Sequence, residues 1–170
     1  MKTIFAFSLS IFALLFSFTL YAQVSPIKIK QQSEKPIIEA RLNGKRAYFL
    51  LDTGSGVTVL DKTQAKHYNF GIKQLINPHK VSGVHGTAGV MNRAYNVQLE
   101  LGELYIEAPY FTHDLRRVIK SIRDKSLVKI SGIIGSDVMN KYGFVIDYGE
   151  EMVYVEREDP NNLADISYTR

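Results

Sequence analysis

Apolar and polar residues exchange places at short intervals along most of this chain, and the intervals are those of β-strands. Ile4 to Ala22 is an uncharged stretch rich in Phe, Leu, Ile and Ala, unlike anything after it. Gln23 to Lys35 is polar and reads as a loose arm or a peripheral strand. Pro36 to Leu42 partly alternates, Asn43-Gly44 follows, and Lys45 to Leu51 resumes an apolar run. Two such runs around Asn-Gly predict a tight hairpin. Val57 to Leu60, rich in β-branched residues, predicts the next strand. Asp61 has the character of a helix N-cap, with Gln64 as its capping-box partner and a helix running to about Tyr68.

Farther on, Val81 to Val90 predicts a strand, a glycine-studded tip and a returning strand. Asn92 to Leu101 alternates through Ala94, Val97, Leu99 and Leu101 and stops at Gly102. Leu104 to Phe111 predicts another strand. Within 114–129, Leu115, Val118, Ile119 and Ile122 have helical spacing, which predicts a helix or an ordered loop. Ile130 to Gly135 reads as a short buried strand, with Ser136 capping a helix through Tyr142 that Gly143 closes. Phe144 to Asp147 and Met152 to Val155 predict a second hairpin. Short strands at close spacing, with two brief helices, predict an all-β domain built as a small barrel or sandwich.

Charge and composition alter this picture at its ends. Lys2 precedes the uncharged stretch, and Leu20-Tyr21-Ala22 ends it on a small residue. That is the layout of a secretory signal peptide over residues 1–22, with cleavage after Ala22. The expected organisation is then an arm over 23–35, one domain over 36–156 and a polar tail over 157–170, with no membrane span left after cleavage. The expected location is exported, periplasmic or secreted, the alternative being that residues 1–22 stay uncleaved as a membrane anchor. The chain has no cysteine, so packing and perhaps a subunit interface must replace disulfides. Its formal charge of +4 is a small excess. The densest basic cluster, Arg116, Arg117, Lys120, Arg123, Lys125 and Lys129, has no interleaved aromatics, so it predicts a solvated face and no nucleic-acid partner. His67, His79 and His113 lie too far apart for a ligand motif, so neither a metal site nor any other cofactor is expected.

Chemistry concentrates in Phe49-Leu50-Leu51-Asp52-Thr53-Gly54-Ser55-Gly56. The acid stands at the far end of the second hairpin strand, where burial opposes ionisation, so it needs a partner or a task. Gly54 permits a tight turn and close backbone approach. Ser55 is placed to bond a carboxylate oxygen, and Thr53 to bond across to a neighbouring chain. One aspartate is a poor catalyst for amide hydrolysis. Two brought together cannot both ionise cheaply, so they share a proton and divide the base and acid roles. Ser131 and Ser136 lack the setting of a serine nucleophile. Asp-Thr-Gly also occurs in ATP-binding folds related to actin, but their phosphate loop and alternating strand–helix units are absent here.

Leu51-Asp52-Thr53-Gly54-Ser55 resembles the active-site motif of aspartic proteases. Ile133-Ile134-Gly135 resembles their second signature, and the glycine-rich hairpin between the two lies where the family has a substrate-covering flap. Order and spacing are similar to the retropepsin-like group, single-lobed and homodimeric. The resemblance spans roughly Pro36 to Val155. It implies a small closed β-barrel of the acid-protease type, with Asp52 catalytic in each subunit and Thr53 forming an intersubunit grip. It further implies that Gly54, and the flap residues Gly83, Val84, His85 and Gly86, hold a polypeptide substrate. The chain departs from the viral pattern in an insertion at 114–129 and in Gly135-Ser136-Asp137, where the viral enzymes have arginine after the glycine. The Gly-x-Asp form is that of cellular relatives, and Asp137 is expected to anchor the dimer or a helix end. The expected function is an exported aspartic endopeptidase. The alternative is a non-catalytic peptide-binding module on the same fold.

Overall fold

The computed structural model describes residues 25–30, 34–75, 80–82 and 88–155. The expected signal segment 1–22, the flap tip Gly83–Gly86 and the tail 157–170 lie outside the described residues. The described chain is mostly β. The strands are β1 (Ser25–Lys28), β2 (Ile37–Leu42), β3 (Lys45–Leu51), β4 (Val59–Asp61), β5 (Gly71–Lys73), β6 (Lys80–Ser82), β7 (Ala88–Val90), β8 (Asn92–Tyr95), β9 (Leu99–Leu101), β10 (Leu104–Ile106), β11 (Phe111–His113), β12 (Gly132–Ile134), β13 (Phe144–Asp147) and β14 (Met152–Val155). A 3-10 turn, Lys62–Gln64, leads into α1 (Ala65–Tyr68); the longer helices are α2 (Arg116–Ser126) and α3 (Ser136–Lys141).

Nine strands form one sheet in the order β10-β9-β2-β3-β12-β4-β11-β8-β5. The expected closed barrel is not what this pairing makes. The order ends at β10 and β5, which do not pair with each other among the described residues. Strands β1, β14 and β13 form a second sheet, so the amino-terminal arm supplies a strand beside the carboxy-terminal hairpin. The pairing of β6 with β7 confirms the hairpin below the flap tip.

The β2–β3 hairpin turns at Asn43 and Gly44, both at positive φ (48° and 75°), as an Asn-Gly turn requires. Alternation along β3 then sorts its side chains to two cores. Phe49 and Leu51 enter the larger one with Ile38, Leu60, Ile134 and Val138. Leu50 enters the smaller one with Ile37, Val59, Leu115, Ile119, Ile122 and Ile130, and Tyr48 packs at its margin.

Several elements differ from the sequence expectation for visible reasons. The strand expected over Leu104 to Phe111 is two strands, because Pro109 has no N–H for a ladder and the Glu107 N–H donates to the Tyr142 hydroxyl (2.7 Å). Asn92 to Leu101 is also divided, at Asn96 with φ 56°. Regular strand begins at Val59 rather than Val57, since the Thr58 N–H is taken by a side chain. Asp61 does cap the turn that follows, accepting from the Thr63 N–H, but Gln64 does not complete a capping box. Its amide donates to the Asp61 carboxylate (3.0 Å), while the Asp61 N–H is already bonded to the Ser131 carbonyl. Gly135, not Ser136, is the N-cap residue of α3. Gly143 at φ 56° follows that helix, as expected. Among the described residues no helix is long and apolar enough to cross a membrane.

Candidate active site

β12 lies between β3 and β4, parallel to the first and antiparallel to the second. Residues 52–58 therefore arch across the end of β12 to connect strands that are consecutive in sequence but not adjacent in space. This arch holds Asp52. Its N–H donates to the Ile134 carbonyl (3.1 Å), which extends the β3–β12 ladder by one residue. Its own carbonyl accepts from the Ser55 N–H (3.0 Å), and its Oδ1 accepts from the Gly54 N–H (3.0 Å). Asp52 is half-buried, whereas Thr53, Gly54 and Gly56 are exposed. The carboxylate is thus less buried in one chain than its place behind an apolar run implies. Among the described residues its second oxygen, Oδ2, accepts no hydrogen bond.

The second signature braces the arch from below. A β-carbon on Gly135 would stand 2.5 Å from the Val57 carbonyl oxygen and 2.8 Å from that of Ser55, so only glycine lets the two segments touch. Gly132 is as tight, with the Val59 carbonyl oxygen 2.6 Å from the site of its missing β-carbon. Ile134 is fully buried and Ile133 half-buried, on opposite faces of β12. Ser136 donates to the Ser55 carbonyl through both its N–H (2.8 Å) and its hydroxyl (3.1 Å).

Asp137 holds the other foot of the arch. Its Oδ2 accepts from the Thr58 N–H (3.0 Å) and its Oδ1 from the Thr58 hydroxyl (2.8 Å). The Thr58 oxygen in turn accepts from the Gly135 N–H (3.1 Å). Thr58 is completely buried. It escaped the sequence reading, although a hydroxyl inside the run Val57-Thr58-Val59-Leu60 required a buried partner. Asp137 anchors α3 to the arch within the chain. Ser55 is corrected as well: its hydroxyl donates to the Val57 carbonyl (2.8 Å), not to a carboxylate oxygen. It shapes the turn instead of orienting the acid.

Cavities of about 330 Å³ and about 380 Å³ lie elsewhere, and neither is lined by a residue of the arch. The arrangement is one presented carboxylate on a rigid glycine turn, able to exchange a proton but open on its outer side.

Residues 38–138 match the family model described as aspartyl protease. The chain is 31 % identical over 122 residues to the retrovirus-related Pol polyprotein from transposon 412 of Drosophila melanogaster. That match takes in 71 % of this chain but spans only 9 % of the polyprotein. Among solved structures, the fold is similar to a retropepsin-like aspartic protease from Rickettsia conorii, with a TM-score of 0.50 and 14 % identity over 78 % of this chain and 89 % of that one. EIAV protease complexed with an inhibitor aligns with a TM-score of 0.45 and 16 % identity over 65 % of this chain and 90 % of that one. The Asp52 arch and the glycine signature beneath it both fall inside the matched span, and the chain, with a fold similar to a retropepsin-like structure, belongs to the aspartyl protease family.

Proposed function

We propose that this chain is an exported aspartic endopeptidase whose site is completed by a second copy. The observation that supports this most directly is the half-exposed Asp52 carboxylate, held through one oxygen and presented on a turn braced by Gly135 and Asp137. In the dimer the two Asp52 side chains face each other and share one proton, because two adjacent carboxylates cannot both ionise cheaply. The ionised member takes a proton from a bound water, and the water oxygen forms a bond to the peptide carbonyl carbon. The protonated member gives its proton to the carbonyl oxygen as the double bond opens. Collapse of the tetrahedral species breaks the C–N bond, and a proton passes to the leaving amine. Such a pair titrates as a unit. Exposed Thr53 is the residue for the intersubunit grip, and the exposed Gly54 backbone for contact with an extended substrate. Export rests on the signal-like pattern of residues 1–22.

The test is a peptide-library digest from pH 3 to 7 read by mass spectrometry, with Asp52→Asn alongside. The wild type is expected to cleave and Asp52→Asn to be inactive yet folded, since the Asn oxygen still accepts from Gly54. Equal cleavage by both would remove Asp52 from the mechanism. Saturable peptide binding without turnover, by a folded dimer, would favour a binding module instead.

A further inference from the structure

Asp52 directly follows β3 and its N–H extends the β3–β12 ladder, so strand alternation carried one residue past Leu51 puts it on the side of the sheet that carries Leu50. Leu50 belongs to the smaller core, and that core is roofed by α2: Leu115, Ile119 and Ile122 pack with Leu50, Val59 and Ile37. Val57, within the arch, and Ile133, in β12 beneath it, pack at the margin of the same cluster. The helix of the insertion therefore covers the side of the sheet on which that alternation puts Asp52.

This helix is fixed in place. The Leu115 N–H donates to Oδ1 of fully buried Asp61 (3.3 Å), which ties the start of α2 to the end of β4. At the other end Leu127 adopts positive φ (57°) and its N–H bonds the Arg123 carbonyl (3.0 Å). With Ile119, Ile122 and Ser126 turned inward, the outer arc carries Arg116, Arg117, Lys120, Arg123 and Lys125, all exposed, against a single acid, Asp124. Arg116 is engaged by Asp114 (2.6 Å). Arg117, Lys120, Arg123 and Lys125 form no ion pair among the described residues. A helix with an unneutralised basic outer arc, packed over the side of the sheet that carries Leu50, is complementary to negative charge on an extended chain.

Resting on the proteolytic reading above, we propose that α2 walls the substrate cleft and selects polypeptides with acidic residues beside the scissile bond. Arg117, Lys120, Arg123 and Lys125 are specificity residues that attract carboxylates without touching the reacting atoms.

The experiment compares kcat/KM for paired peptides that share a cleavage site but differ in flanking Glu and Asp versus Gln and Asn. The wild type is expected to favour the acidic peptide by about tenfold at low salt, the scale of electrostatic steering. That ratio should collapse toward one in ~0.5 M NaCl, where screening shortens the reach of exposed charges. It should also collapse in the combined variant Arg117→Gln, Lys120→Gln, Arg123→Gln, Lys125→Gln, whose changes are all on the surface. A wild-type ratio near one, or a ratio unaltered in the variant, would overturn the inference and leave the protease reading intact. Fluorescence anisotropy with Asp52→Asn protein separates the two further. Preferential binding of the labelled acidic peptide, lost in the charge variant, supports the basic wall even where the wild type cleaves nothing. Tighter binding of a single-stranded oligonucleotide than of the acidic peptide would assign the face to nucleic acid and overturn it.

Discussion

Gly135 and Asp137 bear on the Asp52 turn in different ways, one through space and the other through charge. The space at Gly135 is closed by backbone atoms of Val57 and Ser55, which cannot rotate away as a side chain can. Gly135→Ala is therefore expected to destabilise the fold by about 1–3 kcal/mol, the usual cost of forcing atoms into a packed site, and to lower activity by displacing the arch. Urea unfolding beside peptide cleavage measures both; an alanine variant as stable and active as wild type would mean the contact relaxes freely. Asp137→Ala would leave the buried Thr58 N–H and hydroxyl without their acceptor, which costs about 1–3 kcal/mol for each donor that water does not reach. A thermal melt unchanged by Asp137→Ala would show that the clamp contributes nothing. The tight turn at Asp52 was legible from its neighbours in sequence. The Thr58–Asp137 clamp was not, because its partners stand 79 positions apart.

At the scale of the element, α2 joins a buried stripe to a charged entry turn. Hydrogen bonds from the Arg116 side chain and N–H to Asp114, with the added charges of Arg116 and Lys62, hold the Asp114 carboxyl well below the usual carboxylate range. A carboxyl depressed in the folded state stabilises that state at pH above its unfolded value of about 4, and the contribution is lost as pH falls through the folded value. Asp114→Asn is thus expected to melt below wild type at neutral pH, with the gap narrowing as the buffer goes from pH 5 to pH 2. A gap that stays constant over that range would refute the linkage. The helical spacing of Leu115, Ile119 and Ile122 was readable in the sequence, and these residues are buried as that spacing requires. Val118 was read on the same stripe but remains 37 % exposed. It sits at the edge of the apolar arc, where only the width of the opposing sheet decides which side chains are covered.

On the reading proposed above, the whole molecule presents half of a site. A carboxylate that needs a twin makes activity depend on association, so specific activity is expected to fall on dilution, in parallel with the dimer population measured by sedimentation. The variant Asp52→Asn mixed in excess with wild type should suppress cleavage further, because mixed dimers hold one aspartate. Specific activity independent of concentration, in a chain that sediments as a monomer, would contradict the shared site.

The first hairpin, its turn and the position of the Asp52 turn at the end of β3 follow from this sequence alone, because Asn-Gly, the alternation along β3 and the Asp-Thr-Gly-Ser order act over a few neighbouring residues. The arm could be read two ways, and pairing with β14 makes its Ser25–Lys28 portion a strand. The insertion of β12 between β3 and β4, the open ends of the large sheet and the placement of α2 against Leu50, Val59 and Ile37 are tertiary decisions. Each depends on which distant surfaces bury one another, and the period of a segment carries no information about its partner.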